Sequence, residues 1–317
     1  MPTPEQRAYA AALNAVIKRY QNLEDGQIKK MIGLLQQLRK DISADILGAS
    51  EFQGAHLARL RQAVEQSIAD FEAKANVEMR DGITQAFTTG AAGVSEPLAA
   101  VGIADQRPIN RALLNTLTDF SAVLIKNISG DMQAKIDAQL RLAALGSRPP
   151  FQVMKEITTV LGANAKDGVW GQLKRPEVVK GVAARAEAIT RTELTRIYNI
   201  SHQSRQEEAA QVVPGLAKRW IATGDTRTRP SHLEAHLKYF ENPIPVDQAF
   251  EVGGQELMYP GDPAGDPEET VNCRCTTVTV VPEIGVISTS LDSAVEKQAK
   301  ARDDAKKSEA TYFFISR

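Results

Sequence analysis

Both cysteines and two of the four histidines of this 317-residue chain fall between His232 and Cys275. Thiolate and imidazole are the ligands zinc prefers, so metal binding is the first chemistry to weigh. His232 and His236 stand four residues apart, which on a helix turns both rings to one side. Cys273 and Cys275 alternate on an extended segment, so their thiols face together and Arg274 faces away. His232, His236, Cys273 and Cys275 thus compose a two-His, two-Cys tetrahedral set, and structural zinc is the one cofactor these residue types suggest. Against it, cysteine ligands usually have two to four residues between them, and here there is one. The competing account makes the cysteines small buried apolar groups and His232 a hydrogen-bonding core residue, and it is the preferred of the two. A disulfide is disfavoured, because Cα atoms two residues apart on an extended chain reach or pass the edge of the usual window of about 4.4 to 6.8 Å.

Two further polar clusters precede the cysteines. Arg191-Thr192-Glu193-Leu194-Thr195-Arg196 lies in a helical stretch. It is either a solvated face with ordinary ion pairs or a polar helix docked against the following domain, with Glu193 and an arginine in a partly buried network. After it, Trp220 on a strand leads to a turn at Gly224-Asp225, arginines at 227 and 229, and Ser231 as the expected cap of a short helix carrying His232 and His236. Trp220 is expected to anchor the core, and Asp225 with Arg227 to hold the turn through side-chain to backbone bonds. Glu193, Arg227 and His232 are the residues that invite a catalytic role. No paired carboxylates, nucleophile motif or phosphate-cradling glycine loop accompanies them, so no enzyme and no small-molecule substrate is expected.

The elements that position these residues are mainly helical. Apolar residues recur every three or four positions from Ile28 to Ile46, from Leu57 to Ala75, and from Leu113 to Leu140 with a break expected at Gly130. Residues 90–108, rich in Gly, Ala and Pro, are expected to be a connector, and Pro149-Pro150 to mark a boundary. A short helix around 153–161 and a longer one over 178–211 follow. Beyond Gly215, strands are expected at 218–222 and 276–281, separated by proline-rich loops. The fold class is α+β: a long mainly helical region (1–148), a domain (149–282) that is helical to about 211 and a small loop-rich α+β unit thereafter, and a charged helical tail (283–317) expected to be peripheral.

With 38 basic and 39 acidic side chains the chain has no global drive toward nucleic acid or membrane. The amino terminus has no signal-like stretch and no apolar run is long enough to span a bilayer, so a chain made and kept in the cytosol is expected.

The order Arg191-Thr-Glu193, Trp220, Gly-Asp225-Thr-Arg227, Ser-His232 and Val-Asn-Cys273-Arg274-Cys275 resembles the phage Mu F-like minor head protein family over roughly residues 140 to 281. The closing Asn-Cys-Arg-Cys is the most distinctive part. The resemblance implies a head morphogenesis protein of a tailed bacteriophage, assembled in the host cytoplasm and carried in the virion, with the portal and other head proteins as partners and packaged DNA as a further candidate; an enzyme of toxin or transferase type, to which similar domains are joined, is the lesser alternative. At His236 the family pattern more often has a short polar residue before a glycine, which makes His236 the weakest of the four ligand candidates.

Overall fold

The computed structural model describes residues 2–48, 54–103, 111–145, 152, 153, 155, 157 and 182–315. Four long helices come first: α1 (Pro4–Gly48), α2 (Gly54–Ala100), α3 (Arg111–Leu145) and α4 (Val182–Ala210). The chain divides into two compact units that do not follow sequence order. One comprises residues 23–84 and 111–193, the other residues 1–22, 85–110 and 194–317. The sequential division at 148 and 282 is therefore not how the chain packs, because α1, α2 and α4 each contribute to both units.

The first unit is helical, and its core is made of the expected stripes. Met31, Leu35, Leu38 and Ile42 of α1, Val64, Ile68, Phe71 and Ala75 of α2, and Ile128, Met132, Ile136 and Leu140 of α3 are all buried. Gly130 does not interrupt α3, since an isolated helical glycine costs only about 1 kcal/mol relative to alanine. Ion pairs such as Lys30–Glu78 and Arg185–Asp131 lie at the exposed edges. The short helix expected around 153–161 and the Pro149-Pro150 boundary fall largely or wholly outside the described residues, although Val153 and Ile157 are buried.

The second unit surrounds a small antiparallel sheet. Strand β1 (Ala217–Ile221) pairs with β2 (Ile244–Pro245) on one side and β5 (Thr276–Val280) on the other. Helix α5 (Pro230–Glu241) follows β1, and β3 (Phe250–Val252) and β4 (Gln255–Leu257) form a separate hairpin. Its two-residue turn, Gly253-Gly254, has φ of +60° and +78°, the left-handed conformation that tight hairpins demand. A single turn, α6 (Pro267–Thr270), precedes the cysteines, and α7 (Asp292–Ile315) closes the described chain. The sheet is covered on both faces. Ile221 and Val278 join Tyr9, Leu13, Val94 and Leu98 in one apolar cluster, while Trp220 and Cys275 join Leu233, Tyr239, Phe250 and Val295 in another.

Two expectations fail here for identifiable reasons. Residues 90–100 continue α2 instead of forming a connector. Their glycines serve close helix packing: a Cβ at Gly90 would lie 2.2 Å from the Tyr198 carbonyl oxygen, and one at Gly93 would lie 2.7 Å from His202 Nδ1. Nor is α7 peripheral at its start, since Val295 is fully buried and a Cβ at Gly224 would lie 2.5 Å from the Val295 amide nitrogen.

Candidate functional site

Helix α5 begins with Pro230 at its first turn and Arg229 as N-cap, with no side-chain cap bond. Ser231 is not the cap; its hydroxyl donates to Glu269 Oε2 at 2.8 Å. One residue later His232 points into the core, where its ring meets Trp220 edge-on at 5.4 Å. Across from it, Asn272 adopts φ +58°, a left-handed conformation that asparagine tolerates better than most residues. That turn brings both sulfurs inward. His232 Nδ1 lies 3.2 Å from Cys275 Sγ and 3.7 Å from Cys273 Sγ, and the Cys275 amide donates to Cys273 Sγ at 3.4 Å. The Cys275 carbonyl accepts from Asn199 Nδ2 of α4 at 3.0 Å, which fixes the start of β5.

His236 does not join this group. Its Nδ1 accepts from the Ala222 amide at 3.2 Å and its Nε2 sits 2.9 Å from Asp292 Oδ1. Both ring nitrogens are thereby committed, and the expected four-ligand set reduces to His232, Cys273 and Cys275, whose ligand atoms lie within 4.8 Å of one another. Both cysteines are free, and each is only 2% exposed.

Charge in the cluster is organised around His232. Burial alone would lower its pKa, but the Cys273 sulfur and the Glu269 carboxylate outweigh that and raise it to about 9. Glu269 Oε2 accepts from His232 Nε2 at 2.8 Å, and that bond chiefly holds the carboxylate pKa down. The Cys275 thiol, with the neighbouring imidazolium, holds Cys273 toward the thiolate, whereas burial and the Cys273 charge push Cys275 up. A sulfur, a ring and a carboxylate in line also describe an activated nucleophile. Both sulfurs are buried, and the same sulfurs with the His232 ring compose a candidate ligand set for a metal ion.

Around this cluster, charged side chains latch loops together. Asp225 accepts from both guanidinium nitrogens of Arg274, at 2.5 and 2.7 Å, and from the Arg227 amide at 3.0 Å. Burial raises the Asp225 pKa, yet the hydrogen bond and charge of Arg274 hold it well below the usual carboxylate range. Arg227 also donates from its own guanidinium to the same carboxylate, at 3.3 Å. Arg219 is fully buried and donates to both oxygens of Asp292, at 2.8 and 3.0 Å, and to the Ile287 carbonyl at 2.7 Å. In the other unit, Arg191 is buried between Glu24 and Glu187, at 2.7 and 2.8 Å, and Glu193 is buried on the same helix. Arg191, Glu24 and Glu187 form a buried ionic group, and Glu193 is buried rather than set on a solvated face. The Cys273–Cys275 and His232 grouping follows from residue types and spacing. Glu269, Arg219 and Asp292 carried no comparable signal.

Residues 152–278 match the family described as Phage Mu protein F like protein. This stretch of the chain belongs to the Mu F-like family. Within the chain, the Mu F-like stretch holds the whole His232–Cys273–Cys275 group, Glu269 and the Asp225–Arg274 latch, while Asp292 and α7 lie beyond it. Over 145 residues, 44% of this chain, the sequence is 30% identical to the NAD(+)--arginine ADP-ribosyltransferase EFV of Enterococcus faecalis, covering 29% of that protein. Over 92 residues, 28% of this chain, it is 30% identical to the uncharacterized protein YqbB of Bacillus subtilis, covering 30% of that protein. The chain therefore spans less than a third of the length of these curated relatives. No solved structure matches it.

Proposed function

We propose that this chain is a minor head protein of a tailed bacteriophage that acts in head morphogenesis at the portal vertex, with no catalytic activity of its own. The observation that carries the proposal is the Mu F-like match over 152–278, a family of phage head proteins. The geometry agrees with an assembly role. Four charged groups of the Mu F-like stretch and its flank, Asp225, Arg274, Arg219 and Asp292, form internal pairs that tie short elements together. Such pairs shape a surface for docking rather than a pocket for turnover. Long helices supply extended faces for protein partners, and among the described residues no helix is long and apolar enough to cross a membrane.

Disruption of the gene in its phage should yield defective or unstable heads, and the chain should co-purify with the portal protein from infected cells. Normal heads and normal infectivity without it would overturn the proposal. The likeness to EFV favours a second reading, a transferase, but that likeness covers only a fraction of the EFV chain. Release of nicotinamide from NAD by the purified chain would establish it. Contact with packaged DNA is a third role, and the net charge of -1 supplies no electrostatic drive for it.

A further inference from the structure

We infer that His232 Nδ1, Cys273 Sγ and Cys275 Sγ bind one zinc ion, with Glu269 orienting the histidine and a non-protein ligand in the fourth position. The distances agree with the ion. Zinc at about 2.3 Å from sulfur and about 2.0 to 2.1 Å from nitrogen, at tetrahedral angles, sets N···S edges of about 3.6 Å. The observed edges are 3.2 and 3.7 Å. A metal-ligating histidine almost always gives its other ring nitrogen to a carboxylate or carbonyl, and Glu269 takes that place at 2.8 Å.

Packing alone does not account for the surroundings. Three details work together: the left-handed backbone at Asn272, the amide of Cys275 aimed at Cys273 Sγ, and the carboxylate on Nε2. Small apolar fillers require none of them. Gly253 completes the arrangement, because a Cβ there would lie 2.3 Å from Glu269 Oε1 and displace the orienting carboxylate. The fold also has a use for the ion. Strands β2, β3 and β4 are two or three residues long, and such loop-rich units gain most from a metal staple.

The test uses the full chain, purified without chelator or nickel resin, incubated with zinc sulfate and freed of excess by gel filtration. Elemental analysis should give about one zinc per chain. Cobalt(II) in its place should show thiolate-to-cobalt charge-transfer absorption. Cys273→Ser, Cys275→Ser and His232→Asn should abolish binding, whereas His236→Asn should keep the full equivalent. Glu269→Gln should keep the ion and weaken it roughly 10- to 100-fold in competition with a chromophoric chelator. If the cysteine variants fail to fold, the wild-type stoichiometry and cobalt spectrum still decide. Zinc well below one equivalent, a cobalt complex without the charge-transfer band, or a Cys273→Ser/Cys275→Ser chain that still holds a full equivalent would overturn the inference. A metal-free chain found in phage heads would refute this site and leave the proposed function standing.

Discussion

Asp292→Ala should be among the most damaging single changes in this protein. The carboxylate accepts from Arg219 at 2.8 and 3.0 Å, from the Thr289 hydroxyl at 2.7 Å and from the Thr289 amide, and it faces His236 Nε2 at 2.9 Å. Removing it leaves the fully buried Arg219 guanidinium with the Ile287 carbonyl and the face of Phe240 as its remaining described partners. Breaking a buried pair by deleting one member typically costs about 3 to 5 kcal/mol, because the other charge stays buried without compensation. Thr289 and Asp292 also form a capping-box arrangement at the start of α7, and its loss adds roughly 0.5 to 1 kcal/mol. Urea denaturation followed by tryptophan fluorescence should therefore show a loss of about 3 to 5 kcal/mol, taking the terms as overlapping. Replacing both partners with apolar residues, Arg219→Met with Asp292→Leu, should recover much of it, since the stranded charge is then gone. A loss below about 1 kcal/mol in the single variant would refute the argument that α7 is locked to the sheet by this pair.

Other expectations are shorter to state. Trp220→Ala, at a fully buried site, should cost about 3 to 5 kcal/mol in the same assay, and an unchanged denaturation midpoint would contradict its place in the core. Gly224→Ala should destabilise by more than about 1 kcal/mol, because φ is +69° and the new Cβ would meet the backbone of Ala294 and Val295; limited proteolysis should then cut α7 faster. Asp225 and Asp292 are pushed up by burial but held lower still by Arg274, and by His236 and Arg219 respectively. A depressed folded pKa contributes stability above the unfolded value, near about 3.9, and that stability is lost as pH falls. Urea midpoints measured between about pH 7 and pH 3 should accordingly drop steeply below about pH 4, and a flat profile would contradict both latches.

The helical stripes were legible because an amphipathic helix writes its buried face at a fixed period, and Met31, Ile68 and Met132 lie where that period puts them. The convergence of His232 with the two cysteines was legible for a similar reason, since spacing on a helix and on a strand sets direction. His236 obeys the same spacing, yet its ring is claimed by Ala222 and Asp292, partners 14 and 56 positions away that no local rule identifies. Helix α7 reads as a solvated tail because its docking rests on the Asp292 carboxylate, on Val295 and on a bond from Arg302 to the Thr228 carbonyl rather than on an apolar stripe. Gly90 and Gly93 carry the composition of a turn, and only the close approach of Tyr198 and His202 shows that the missing side chains serve helix packing. Glu269 sits on a four-residue helix inside proline-rich loops, where periodicity has nothing to report.

The most direct test of the assembly role is quantitative mass spectrometry of purified proheads and mature particles of the phage that encodes this chain. Peptides from the Mu F-like stretch, including the segment around Cys273 and Cys275, should be present in proheads and at low copy relative to the major capsid protein. Their absence from both proheads and virions, with the chain abundant in the infected-cell lysate, would contradict the account.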